Sequence, residues 1–402
     1  MKVLMLGWEL PPHNSGGLGV ACYQLCKALS VHDVDIEFVL PYTAEHDVDF
    51  MNINAAHPQD VTAVIKAGIA YDSFKYIKTN GDVEWVDLFG QSALYEQSVE
   101  RIADVAEFDI IHAHDWLTFR AALRAKQLTK KPLILHVHSV EADRAGAAGR
   151  GNPLVREIEG LSMLEADRII AVSQHTKNTI VREYDIPADK IEVIHNSIDV
   201  EDNVVTDEAS VYHYLDLMKI KGYRVVVNIG RLTIQKGLPN LLRAAKEVVA
   251  RAPKTIFLFV GSGDQEQELI ELAAELGISQ NVIFTGFQRG KRWRDAYVIA
   301  DLFVMPSISE PFGLTPLEAI GHGTPALISK QSGVSEVIRN CLKVDYWDIN
   351  EMANQVTAVV QNDSLRDELH VQAYREYQRL SWQDSAQKLM LLYQEHLQGV
   401  PA

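Results

Sequence analysis

Short apolar runs rich in β-branched residues alternate with longer stretches of helical spacing: VLML near 3, IEFVL near 36, IIHAH near 110, LILHVH near 133, RIIAVS near 168 and KIEVIH near 190. Runs that are apolar at nearly every position, rather than every second one, predict central strands of a parallel sheet covered on both faces. The stretches between them predict helices, so residues 1–200 read as one Rossmann-like α/β domain. An irregular acidic stretch after Asp199 extends to about Gly222 and predicts a linker over 201–221. The pattern then restarts with VVVNIG, TIFLFV, NVIFTG, LFVMPS and TPALIS, which predicts a second α/β domain over 222–380. From Ser381, SWQDSAQKLMLLYQEHL places apolar residues at helical spacing and predicts an amphipathic helix, about 381–402, that joins the N-terminal domain.

Composition narrows the function classes. At 402 residues the chain is too long for one ordinary core, and 47% apolar with 23% charged residues is a globular composition. A net charge of -16 disfavours a nucleic-acid partner, because a surface that repels phosphates forfeits the counterion-release contribution to affinity. It also disfavours unaided docking on anionic lipid. Cys22, Cys26 and Cys341 cannot form a disulfide framework, and no Cys/His spacing of a zinc site occurs, which fits a reducing compartment. The chain opens on a strand rather than a secretory leader, and no apolar run approaches bilayer length. The expectation is a cytoplasmic protein without stable membrane insertion, its oligomeric state open.

Three stretches carry candidate chemistry. In WELPPHNSGGLGVACYQLCKALS, Gly16, Gly17 and Gly19 let backbone amides approach a ligand at the start of a helix, which suits an anion. A dinucleotide fingerprint fits less well, since Gly17-Leu18-Gly19 falls some ten residues after the strand and Cys22 occupies its last glycine position. In GRLTIQKG, Arg231 and Lys236 follow a strand end, where two cations can meet a diphosphate or stand as solvated surface charges. In SEPFGLTPLEAIGHGTPALIS, Glu310 and Glu318 flank Gly313, Leu314 and Thr315 just before a helix. Carboxylates there can accept hydrogen bonds from sugar hydroxyls, or simply serve the helix end.

GRLTIQKG and the E-x7-E stretch SEPFGLTPLEA resemble the donor-site signatures of glycosyltransferase family 4, retaining enzymes of the GT-B fold. The resemblance extends to SGGLG at 15–19, HAHDW at 112–116, AVSQ at 171–174 and VIHNSID at 193–199. It implies two Rossmann-like domains whose parallel sheets face each other across a deep cleft. It further implies that Arg231 and Lys236 bind the donor diphosphate, that Glu318 holds the ribose hydroxyls, and that Glu310 lies near the transferred sugar. The amides of Gly313, Leu314 and Thr315 would stand beside sugar and phosphate, and those of Gly16 and Gly17 would meet the diphosphate. His138, in LHVHS, matches the histidine that approaches sugar and acceptor; from its residues alone it reads rather as a core or strand-end histidine bonded to backbone. His112, His114 and Asp115 read mainly as strand-end packing, with an acceptor role open for His114 and Asp115. His136 reads as buried, and Asn196 and Asp199 as interdomain positions.

GWELPPHNSGGLGV and HAHDW are similar to the glycogen and starch synthase branch, which implies a glucosyl donor and an α-glucan or other soluble saccharide acceptor. Ser15 stands where bacterial synthases of that branch carry Lys, so ADP-glucose in particular is not implied. Family members also move mannose or N-acetylglucosamine onto lipids or small metabolites, and a sugar-nucleotide epimerase or a non-catalytic sugar-nucleotide-binding protein would keep the same architecture. The family route is front-face displacement, in which cations and helix-start amides offset the leaving charge, no carboxylate pair acts as nucleophile and acid, and neither metal nor cofactor is implied, in keeping with the lack of a D-x-D carboxylate cluster. QRGKRWRDAY at 288–297 reads as a solvated or nucleotide-side face, and GSGDQEQE as a turn before an acidic helix start.

Overall fold

The computed structural model describes residues 1–13, 16–67, 73–146, 149, 151–198 and 210–398. Ser15, Asp199 and residues 201–209 of the stretch expected as a linker lie outside them. The chain forms two compact units, one of residues 1–142, 150–197 and 381–402, the other of residues 143–149 and 198–380.

In chain order the strands of the first unit are β1 (Lys2–Leu6), β2 (Asp35–Leu40), β3 (Asn52–Ala55), β4 (Val61–Ala67), β5 (Ser73–Lys78), β6 (Val83–Asp87), β7 (Ile110–His114), β8 (Leu133–Val137), β9 (Arg168–Ala171) and β10 (Ile191–Val193). Seven of them make a parallel sheet in the order β10-β9-β8-β7-β1-β2-β3. Strands β7 and β8 are buried at every position, as their unbroken apolar runs predict. The helix Gly17–Ser30 turns Ala21, Leu25, Cys26 and Leu29 into the core, and the helix Trp382–Gln398 packs against it with Trp382, Ala386, Leu389 and Tyr393 buried.

Strands β4, β5 and β6 form a separate antiparallel sheet in the order β4-β5-β6 that the sequence reading did not anticipate. Val61, Val64, Phe74 and Tyr76 point into the core, while Val83 and Trp85 on β6 are exposed. A second correction concerns the stretch read as irregular up to Gly222: within it, His213–Ile220 is a helix. Only Leu215 of that helix is buried, whereas Tyr214, Leu217 and Ile220 face solvent, so it shows no periodic core face.

The second unit holds β11 (Arg224–Ile229), β12 (Thr255–Val260), β13 (Val282–Phe284), β14 (Leu302–Met305), β15 (Ala326–Ser329) and β16 (Leu342–Val344). They form a parallel sheet in the order β13-β12-β11-β14-β15-β16. In both units the order of strands reverses direction beside the first strand, between β1 and β7 and between β11 and β14. Loops leaving such neighbouring strands diverge to opposite faces and open a crevice beyond the carboxyl ends, the ordinary ligand position in an α/β sheet.

Candidate functional site

In the second unit the crevice is built from the loops after β11 and β14. The chain leaves β11 through Gly230, Arg231 and a single 3-10 turn, Ile234–Lys236, before entering the helix Leu238–Arg251. Two glycines make this route possible. At Gly237, φ is +64° and a β-carbon would fall 2.3 Å from the Pro306 carbonyl oxygen, so only glycine lets this loop touch the end of β14. At Gly261, φ is +148° and a β-carbon would fall 1.9 Å from the Gly230 oxygen. GSGDQEQE is thus a backbone brace for the Arg231 loop, followed by a helix, Glu266–Glu275, with Glu266 and Glu268 in its first turn.

Side chains fasten the two loops to each other. The buried Gln235 donates through Nε2 to the Ser309 carbonyl at 3.0 Å, and the Ile308 amide donates to the Gln235 carbonyl at 2.8 Å. Lys236 Nζ donates to Glu310 Oε2 at 2.6 Å, and Ser307 Oγ donates to the same oxygen at 2.9 Å. Glu310 is 8% exposed, so its charge is met by Lys236 and Ser307 rather than by bulk water. Arg231 is exposed, with no ion-pair partner among the described residues. After Phe312, Gly313 and Leu314 lead into the short helix Thr315–Gly321, whose first turn carries Glu318.

Glu318 has a different environment. Tyr297 donates its hydroxyl to Glu318 Oε2 at 2.7 Å, and burial raises the carboxyl to about 7 against that bond's opposing effect. His322 lies on the Tyr297 ring, centroids 5.4 Å apart, and pairs through Nδ1 with the Glu318 carbonyl at 2.8 Å. Since a carbonyl only accepts, Nδ1 carries the proton. Trp293 closes the group edge-on, 5.2 Å from Tyr297 and 5.9 Å from His322. The stretch QRGKRWRDAY therefore supplies an aromatic wall beside Glu318, and its Lys291 is spent on Asp295 at 2.9 Å. Tyr297, His322, Ser307 and Gln235 were given no role by the sequence reading; they become visible only once loops far apart in the chain are folded together.

In the first unit, Gly16 and Gly17 stand exposed at the start of the helix Gly17–Ser30. A row of histidines crosses β7 and β8. His112, His114 and His136 are fully or almost fully buried, and His138, just past β8, is half-buried. Their rings stack, with centroids 4.6 Å apart for His112 and His114 and 4.4 Å for His136 and His138. Burial holds all four below the ordinary imidazole range, His112 and His138 down to about 3, so they are neutral at pH 7. His112 pairs with the Tyr393 hydroxyl of the last helix and, through Nε2, with His136 Nδ1 at 3.3 Å. His114 Nδ1 meets His138 Nε2 at 2.9 Å.

Asp115 does more than fill a strand end. At φ +58° and ψ +167° it occupies a region sparsely used by residues with a side chain, and its Oδ1 accepts the His138 amide at 2.7 Å and the Ser139 amide at 3.3 Å. It thereby fixes the backbone that carries His138. Asn196 is buried in the same unit.

Cys22, His114 and His138 offer ligand atoms within 4.8 Å of one another, as do His112, His114 and His136. Ligand atoms on a tetrahedral zinc stand about 3.3 Å apart or more, so the direct 2.9 Å contact of His114 with His138 is that of a hydrogen bond. Burial also pushes the Cys22 thiol well up, away from the thiolate a metal takes. Within the row the hydrogen bonds form two pairs, His112 with His136 and His114 with His138.

A family model for glycosyl transferases group 1 matches residues 216–376, and one for Glycosyltransferase Family 4 matches residues 15–202. A D-inositol 3-phosphate glycosyltransferase of Rhodococcus jostii is 30% identical over 94% of this chain and 84% of its own. A glycogen synthase of Mycobacterium tuberculosis is 27% identical over 85% of this chain and 80% of its own. The solved structure of HepE from Anabaena in complex with UDP-glucose shares the fold with a TM-score of 0.71 at 19% identity, covering 98% of this chain and 100% of that one. No described helix is long and apolar enough to cross a membrane.

Proposed function

The chain belongs to glycosyltransferase family 4, of GT-B fold and in its glycogen synthase-like branch, and from that premise we propose that it is a retaining, metal-independent hexosyltransferase. It takes a nucleoside-diphosphate sugar, glucose being the favoured sugar, and delivers it to a soluble saccharide or α-glucan. The observation that carries the reading is the pairing of Lys236 with Glu310 at 2.6 Å, at the carboxyl ends of β11 and β14, next to the exposed Arg231.

Arg231 and Lys236 oppose the charge that develops on the leaving diphosphate, and helix-start amides at Gly313 to Thr315 add to that field. A donor phosphate oxygen then accepts the acceptor proton as the new glycosidic bond forms on the face the diphosphate leaves. Glu318 receives the ribose hydroxyls, with Tyr297 holding its carboxyl in place. Gly16 and Gly17 bring amides to the diphosphate, and His138 takes a hydroxyl of the sugar or acceptor, with His114 and Asp115 behind it. The HepE structure is a complex with UDP-glucose, which supports a uridine donor among the bases to be tried.

The relatives named as inositol 3-phosphate glycosyltransferases support a second acceptor class, a small phosphate-bearing polyol. The test is a thermal-shift panel of UDP, ADP, GDP and their glucose conjugates, followed by product analysis with maltooligosaccharide, with an inositol phosphate and with no acceptor. A shift with one nucleotide and a product only when saccharide is added supports the reading. Conversion of the sugar nucleotide without acceptor would assign an epimerase instead, and no shift with any nucleotide would leave a binding fold without a donor.

A further inference from the structure

Met5, on β1, places its thioether sulfur 3.1 Å from His114 Nε2. A thioether accepts a hydrogen bond and has no proton to give, so the proton of that contact is on His114 Nε2. Burial keeps His114 neutral, which leaves a lone pair on its Nδ1. That nitrogen lies 2.9 Å from His138 Nε2, a distance two lone pairs cannot share. The proton between them therefore sits on His138 Nε2. His138 is likewise neutral, with its own pKa near 3, and its Nδ1 is left as a bare acceptor with no protein partner among the described residues.

The neighbouring pair shows why the sulfur matters. His112 ends on the Tyr393 hydroxyl, which can donate or accept, so the His112–His136 pair can run in either direction. In the His114–His138 pair, Met5 removes that freedom. We propose that Met5 and His114 are positioning residues that fix His138 in its Nε2–H tautomer, reserving Nδ1 to accept a hydrogen bond from a hydroxyl of sugar or acceptor. The purpose assigned to Nδ1 rests on the transferase reading of His138; the tautomer does not.

The experiment is long-range proton–nitrogen correlation spectroscopy on the full chain with 15N-labelled histidine, His138 being assigned by loss of its signals in His138→Ala. Wild type should show His138 protonated at Nε2 and bare at Nδ1. Met5→Leu keeps an apolar side chain of similar volume and removes the acceptor, so His138 should become a mixture of tautomers. Its kcat should fall by roughly two- to tenfold, in proportion to the lost fraction, with the donor KM unchanged. His114→Asn, which can offer an amide oxygen near the Nδ1 position, should retain the Nε2–H form. A wild-type spectrum with the proton on Nδ1 overturns the inference without any variant, as does an unaltered tautomer in folded Met5→Leu. If the tautomers are as stated but His138→Ala transfers sugar at the wild-type rate, the inference stands and the role of His138 in transfer falls.

Discussion

Lys236 Nζ and Glu310 Oε2 close an ion pair at 2.6 Å between two loops whose residues are 74 positions apart in the chain. Removing the cation leaves a carboxylate that is 8% exposed with Ser307 as its remaining donor shown here. Lys236→Ala should therefore cost about 1–3 kcal/mol of stability and lower transfer by about 100-fold or more. The double variant Lys236→Met with Glu310→Gln should recover much of the stability and none of the transfer. Urea denaturation and a radiolabelled-sugar assay separate the two effects; full transfer in a destabilised Lys236→Ala would move Lys236 out of the donor site.

Glu318 titrates at about 7 because burial penalises its carboxylate. Its folded-state pKa lies above the unfolded value, so the folded state holds the extra proton and stability falls as pH rises from about 4.5 to 7. The Glu318→Gln variant should be the more stable protein above pH 7, by up to about 3 kcal/mol, with a flatter pH profile. If ribose hydroxyls favour the charged carboxylate, nucleotide binding should release protons near pH 7. Calorimetry in buffers of different ionisation enthalpy reads that number directly; zero release would remove Glu318 from the ribose.

Asp115 accepts two backbone amides while held at φ +58°. Asp115→Ala loses the bonds and keeps the strain; Asp115→Gly loses the bonds and relieves the strain. The alanine variant should be destabilised by about 2–4 kcal/mol and the glycine variant by about 1 kcal/mol less. Equal losses in thermal unfolding would show that the backbone there carries no strain.

The brace at Gly261 leaves no space for a side chain. Gly261→Ala should cost about 4 kcal/mol or more, or fail to fold, because the β-carbon meets backbone that cannot rotate away. At Gly16 a β-carbon would meet nothing within 4 Å, and Gly16→Ala should stay within about 0.5 kcal/mol of wild type. Chemical denaturation of the pair checks both.

The parallel sheets were legible because strands such as IIHAH and LFVM are buried on both faces and so have no polar side to blur the run. The antiparallel sheet was not. Its third strand points Val83 and Trp85 at solvent, so apolar residues there do not report a core. In the site, the cations and carboxylates could be read because strand-end position and residue type already specify a chemistry. Tyr297, 21 positions before Glu318, could not, since nothing local distinguishes it from any buried tyrosine. Nor could the work of Asp115, which is done on backbone amides that no pattern of side chains encodes.

The helix Trp382–Gln398 completes the core of the first unit although residues 198–380 of the second unit come before it in the chain. A ribosome thus finishes residues 1–197 early and leaves the face of Gly17–Ser30 uncovered by the last helix while the rest is made, for roughly ten to forty seconds at ordinary rates of synthesis. The unit begun first is closed last. During that interval the apolar face of Gly17–Ser30 against which the last helix packs has no cover from it.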